Sequence, residues 1–196
     1  RHALARHQLR HGADLANLKD LQELLKLPEP ITRIEIYDNS HIQGTKAIGA
    51  MVVAGLEGLD KKSYRKFILD GNTFTPGDDY AMMGEVLRRR FSGTLSKDTE
   101  SNPMPDLLLI DGGIGQVRRV ADTLKELKID IAILGVAKGV ERNKGDETFV
   151  LPDGSTFKLN DQKSLLFYIQ RLRDEAHRFA ITFHRGRRQV SLRESA

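Results

Sequence analysis

Leu15, Leu18, Leu21 and Leu25 recur three and four residues apart, which is one face of a helix. They predict an amphipathic helix over residues 13–26, ended by Pro28 and Pro30. Residues 1–12 are basic with no apolar face and read as the remainder of a linker or a longer helix. Alternation from Thr32 to Tyr37, a β-branched run from Ile48 to Ala54 and a third run from Tyr64 to Leu69 predict three strands. Gly44, and Gly55 with Gly58, supply turns between them, and such short links favour an antiparallel meander. Thr75-Pro76-Gly77-Asp78 has the form of a capping box, with Thr75 at N-cap, Pro76 at the first helical position and Asp78 at the third. The helix it starts should run to about Arg90, followed by a polar loop from Ser92 to Pro105. Leu107 to Ile110 is a short apolar run of the kind buried in a central parallel strand. Asp111-Gly112-Gly113-Ile114-Gly115 then turns into a helix ending near Lys128, and Ile131 to Val136 forms another buried strand. A basic loop from Ala137 to Glu147, a hairpin around Asp153-Gly154 and a last helix over about Lys163–His184 complete the order.

Meander, helix, strand–helix–strand and closing helix together predict an α/β fold, a mixed β-sheet flanked by helices. That is the element order of a ribonuclease-H-like architecture. A doubly wound nucleotide-binding fold would need more strand–helix–strand units. The 196 residues suffice for one domain with a real core. No apolar run approaches the ~18 residues of a membrane span. No signal segment opens the chain, so a cytoplasmic location is expected, and the missing initiator Met points to a fragment. With no cysteine, disulfides and thiolate metal sites are excluded, and a metal would sit on carboxylates or imidazoles. The net charge of +4 is modest, but its placement is uneven: Arg88-Arg89-Arg90 form one cluster and the C-terminal stretch another. Clustered arginine suits a phosphate backbone, and equally a solvated face.

Asp38 ends the strand Ile34-Glu35-Ile36-Tyr37 and shares a face with Ile34 and Ile36. It reads as a compensated carboxylate at the end of an apolar face, or as an ordinary aspartate in a turn. Asp111 repeats the arrangement after Leu107 to Ile110, and ligands collect at the carboxyl ends of strands in open sheets. On neighbouring strands the two could share one metal ion. Capping accounts for Asp78 but does not require Asp79, which leaves one carboxylate near a helix start. On the last helix Gln170, Arg173 and His177 form a polar stripe beside an apolar face, where His177 is either functional or a boundary residue. His41, close to Asp38, is a second histidine to weigh. The turn Gly112–Gly115 lacks the Gly-Lys-Ser/Thr of a phosphate loop, leaving close backbone approach to a phosphate or a tight structural turn. Lys138, Arg142 and Lys144 lie in a glycine-containing loop, either as phosphate contacts or as solvated charges.

Several of these segments resemble one family. Arg33-Ile34-Glu35-Ile36-Tyr37-Asp38-Asn39-Ser40-His41 is similar to the UvrC stretch that usually ends Asp-Ile-Ser-His, with Asn39 in place of the common apolar residue. Thr75 to Tyr80 and Leu87 to Arg90 match the family, as do Leu109 to Gly113 with Gly115-Gln116, and Arg173 to Ala180, all in order over about residues 31–190. The resemblance implies a ribonuclease-H-like endonuclease making the 5′ incision of nucleotide excision repair. Asp38, Asp111 and His177 match the family's catalytic triad and Asp79 a further essential acid. The implied layout is a linker and helix over 1–30, the endonuclease over 31–190, and a tail, 191–196, leading toward helix-hairpin-helix modules. The implied partners are damaged double-stranded DNA and, through the whole protein, UvrB. Mg²⁺ or Mn²⁺ on Asp38 and Asp111 would neutralise charge at the phosphate. Asp79 would order water or complete a second site, and His177 would ligate or transfer a proton. Arg88, Arg89, Lys138, Arg142 and Arg178 are the expected DNA backbone contacts. Two other readings compete: a non-enzymatic DNA-binding module, indifferent to metal, and a small-molecule nucleotide-binding domain built on the Gly112–Gly115 turn, indifferent to His177.

Overall fold

The computed structural model describes residues 2–41, 46–70, 78–139 and 146–182. In chain order these form α1 (His2–Leu24), β1 (Arg33–His41), β2 (Lys46–Gly55), β3 (Gly58–Leu59), β4 (Arg65–Asp70), α2 (Asp79–Ser92), β5 (Leu107–Asp111), α3 (Ile114–Glu126), β6 (Ala132–Ala137), β7 (Thr148–Val150), β8 (Thr156–Phe157) and α4 (Lys163–Thr182). The eight strands make one mixed sheet in the order β3-β2-β1-β5-β6-β7-β8, with β4 also paired to β2. The meander is antiparallel as expected, β1 to β2 and β2 to β4. β1, β5 and β6 run parallel through the centre. The expected hairpin is β7–β8, and Gly154 in its turn holds a positive φ of 90°.

Strand alternation divides the core between the two faces of the sheet. Ile34, Ile36, Val52, Leu107, Leu109, Leu134 and Val136 pack beneath Leu165, Ile169, Leu172 and Ala176 of α4, with Leu18 and Leu21 of α1 beside them. Tyr37, Met51, Val53, Leu108 and Ile110 pack on the other face against Met82, Met83 and Val86 of α2 and Val117 and Val120 of α3. Each fully buried Leu, Ile, Val or Met of this kind contributes about 1.5–3 kcal/mol. The sheet is thus a wall with α1 and α4 on one side and α2 and α3 on the other. Its carboxyl end, where β1 and β5 finish, is reached from both sides.

The first helix begins at His2, so of the two readings of residues 2–12 the longer helix holds and the linker does not. The expected cap of α2 is corrected. Asp78, expected at the third helical position, is itself the N-cap of α2: its carboxylate accepts a hydrogen bond from the Ala81 N–H at 3.0 Å. Thr75 and Pro76 lie outside the described residues, as does the tail 191–196. The Arg88-Arg89-Arg90 cluster is also not one surface. Arg90 is fully buried and donates from Nε and Nη2 to the two oxygens of Glu35, at 3.0 and 2.8 Å. Arg33 Nε and the Tyr37 hydroxyl also donate to Glu35, at 3.0 and 2.6 Å. This network fills the second core beneath α2 and ties its last turn to the centre of β1.

Candidate active site

β1 and β5 are in parallel register with Tyr37 opposite Ile110, so the next residues along each strand, Asp38 and Asp111, come abreast at the carboxyl end. Both side chains project to the α4 face, because they continue the Ile34–Ile36 and Leu107–Leu109 rows. Asp38 is buried and Asp111 half-buried. Burial first, and then the charge of Asp38 and a hydrogen bond with it, push the Asp111 carboxyl up to about 6. Arg173 and Lys138 pull in the opposite direction but do not cancel the effect. Two carboxylates held this close in a low-dielectric setting leave the site short of positive charge.

His177 reaches the same point from α4. Its Nδ1 lies 3.0 Å from Asp38 Oδ2 and donates to it, so in the neutral ring Nε2 is the unprotonated nitrogen. The imidazole is 63 % exposed, open to a bound molecule. Below it on the same helix Arg173 donates to Glu147 at 3.2 Å, and Gln170 donates to both oxygens of that carboxylate at 3.0 and 3.1 Å. Burial alone would raise Glu147, but hydrogen bonds from a backbone N–H and Gln170, together with Arg173, outweigh it and hold the carboxyl below its ordinary range. Glu147 thereby fixes Arg173 beside the paired aspartates. Sequence reading placed Arg173 and Gln170 in the polar stripe with His177 but missed Glu147 as their anchor.

Asp79 stands in the first turn of α2, on the opposite face of the sheet from His177. Its Oδ1 accepts from His41 Nε2 at 2.8 Å, and both side chains are half exposed. His41 belongs to the Tyr37 row of β1, which explains why it meets α2 rather than α4. Two acid–imidazole pairs therefore flank the end of β1, one on each face. Among the described residues no group of three or more His, Asp or Glu side chains is arranged to hold a metal ion by itself. The donors that are present suit a hard cation. Mg²⁺ and Mn²⁺ prefer oxygen ligands, and Mg²⁺ takes one or two carboxylates and fills its other positions with water and phosphate oxygens.

Residues 22–181 match the family described as the UvrC RNase H endonuclease domain. The chain belongs to that family. It is 54% identical over 191 residues to the UvrABC system protein C of Sphingopyxis alaskensis, covering 96% of this chain and 29% of that protein. It is 48% identical over 198 residues to the UvrABC system protein C of Caulobacter vibrioides, covering 100% of this chain and 31% of that one. The chain thus spans about three-tenths of the length of these relatives. A crystal structure of human ENDOV is similar in fold, with a TM-score of 0.52 at 16% identity, covering 88% of this chain and 99% of that one. The nuclease fold inferred from element order is thereby confirmed.

The basic residues expected to contact DNA are dispersed, among the described residues of this UvrC domain. Lys138 lies just after β6, close enough to act on Asp111. Arg88 and Arg89 stand at the far end of α2, nine and ten residues from Asp79, which is roughly 14 Å along a helix. Arg88 pairs with Glu126 at 2.9 Å, while Arg89 donates to the Ile68 carbonyl at 2.6 Å and to Glu85 at 3.2 Å. Arg178 is bonded to Glu175 on the flank of α4. Arg142 lies outside the described residues.

Proposed function

We propose that this segment cuts damaged double-stranded DNA on the 5′ side of a lesion during nucleotide excision repair, with Asp38, Asp79, Asp111 and His177 as its working groups. The observation that carries the reading is the pair Asp38 and Asp111, abreast at the end of two parallel strands, with His177 bonded to Asp38. Asp38 and Asp111 would hold a divalent ion, Mg²⁺ or Mn²⁺, which would offset the burial and the repulsion from Asp38 that raise Asp111. When bound, the ion supplies neutralisation for the charge that develops on the phosphate. Asp38 accepts from His177 Nδ1 and so fixes the ring's orientation and, in the neutral tautomer, leaves the lone pair on Nε2. Nε2 then takes a proton from the attacking water or, once protonated, gives one to the leaving oxygen. Asp79, oriented by His41, orders water from the other side of the strand end.

Lys138 is the backbone contact nearest the chemistry, with Arg88, Arg89, Arg142 and Arg178 contacting phosphates further along the duplex. Binding through such contacts weakens with salt. The names of the relatives support placing the segment inside a UvrABC system protein C, which would act in the cytoplasm and recruit UvrB through its other parts. Among the described residues no helix is long and apolar enough to cross a membrane.

The test is 5′ incision of a labelled, lesion-bearing duplex by the full-length protein assembled with UvrB. Wild type should cut only with a divalent ion present, and Asp111→Asn and His177→Ala should each lose at least about 100-fold. Full cutting by Asp111→Asn, or cutting in excess chelator, would exclude this site.

A further inference from the structure

Three of the four tyrosines, Tyr37, Tyr64 and Tyr168, are buried, whereas Tyr80 is 49 % exposed. Tyr80 follows Asp79 in the first turn of α2. Its ring lies across to the first turn of α3, directly over Gly115. A Cβ on residue 115 would come within 2.5 Å of the Tyr80 hydroxyl oxygen and 2.9 Å of its Cε1, both shorter than any real carbon contact. Gly115 is four residues beyond Asp111. The ring therefore bridges the two segments that carry Asp79 and Asp111, with one side seated on a bare glycine and much of the remainder open to solvent. A residue kept only to fill space between α2 and α3 would bury its side chain there, as Met82 and Val120 do.

We propose that Tyr80 is a stacking platform for the base of a nucleotide next to the phosphate that is cut, and that Gly115 lacks a side chain so that the ring can lie flat in that position. The inference rests on the proposed nuclease reading. An aromatic face suits this task because every base offers a π-face, so the platform holds a nucleotide without reading its identity. It would fix the register of the strand over Asp38 and Asp111, and it makes Tyr80 a substrate-positioning residue.

The experiment uses the full-length protein assembled with UvrB on a lesion-bearing duplex with 2-aminopurine beside the incision site. Incision with a divalent ion and fluorescence in chelator are both recorded, and thermal unfolding checks that each variant is folded. Tyr80→Leu should lower kcat/KM by roughly 5- to 150-fold, mainly through KM, as expected for the loss of one stacked base. Tyr80→Phe should recover most of that loss. Gly115→Ala should move in the same direction as Tyr80→Leu, because its methyl group displaces the ring. The 2-aminopurine signal should change on binding to wild type and Tyr80→Phe, and much less with Tyr80→Leu. Undiminished cutting by Tyr80→Leu, a Phe variant as impaired as the Leu variant, or identical fluorescence in all three would overturn the platform. Asp111→Asn separates the two ideas: if it is inactive while Tyr80→Leu cuts normally, only the platform fails, and if it cuts normally the active-site reading fails with it.

Discussion

Replacing Asp111 by Asn should make the domain more stable while removing its activity. The carboxyl of Asp111 is raised to about 6 by burial and by Asp38, from an ordinary value of 3.8. A group raised on folding loses stability as pH climbs from its unfolded value through its folded one. The contribution is therefore whole below pH 3.8 and gone above about 6. Two pKa units correspond to about 3 kcal/mol, which is the strain that wild type carries at pH 8 in chelator. Asn keeps the shape and drops the charge. At pH 8 in chelator Asp111→Asn should then unfold in urea with about 2–3 kcal/mol more stability than wild type, equivalent to roughly 5–10 °C in Tm. At pH 4, where wild-type Asp111 is largely protonated, the difference should fall close to zero. Saturating Mn²⁺ at pH 8 should raise wild type toward the variant and leave the variant unmoved, because the ion supplies the missing positive charge. An Asn variant no more stable than wild type at pH 8, or a difference that does not change between pH 4 and pH 8, would refute the electrostatic description of the site.

Arg90→Ala should destabilise the domain by about 3–5 kcal/mol in denaturant titration, since Glu35 stays buried with much of its compensation gone. The double change Glu35→Leu with Arg90→Met should recover a large part of that loss, and a double variant weaker than Arg90→Ala would show that the charges themselves hold the core. Asn39→Ile should stabilise by about 1–3 kcal/mol in the same titration, because both polar atoms of the Asn39 side chain are buried without a hydrogen-bond partner among the described residues. His177→Gln should leave stability within about 0.5 kcal/mol, its ring being 63 % exposed, while incision drops at least about 100-fold. A matching loss of stability would mean that the histidine is structural.

Much of the sheet was legible because its signals are local and periodic. Alternation in Ile34–Asp38 and the apolar run before Asp111 place both acids on the α4 face, and parallel neighbours bring them abreast. The choice between linker and helix for residues 2–12 was not legible, since these turns are exposed and carry no apolar stripe; Ala, Leu, Arg and Gln favour helix there by propensity. The cap of α2 was misplaced because Thr75 and Asp78 offer the same acceptor chemistry, and only geometry shows that the Asp78 carboxylate reaches Ala81. Arg88-Arg89-Arg90 looked like one patch because consecutive charges look alike in a string. On a helix each successive side chain turns by about 100°, which sends Arg90 inward. The pairs His41–Asp79 and Arg173–Glu147 join residues far apart in the chain, and no spacing rule reveals them.

Manganese gives the most direct test of where the chemistry sits. Crystals of the domain soaked in Mn²⁺ should show an anomalous peak within bonding distance of one oxygen from Asp38 and one from Asp111, lost in Asp111→Asn. A peak confined to Asp79 and His41, or no ordered ion between the two strand ends at saturating Mn²⁺, would contradict the account.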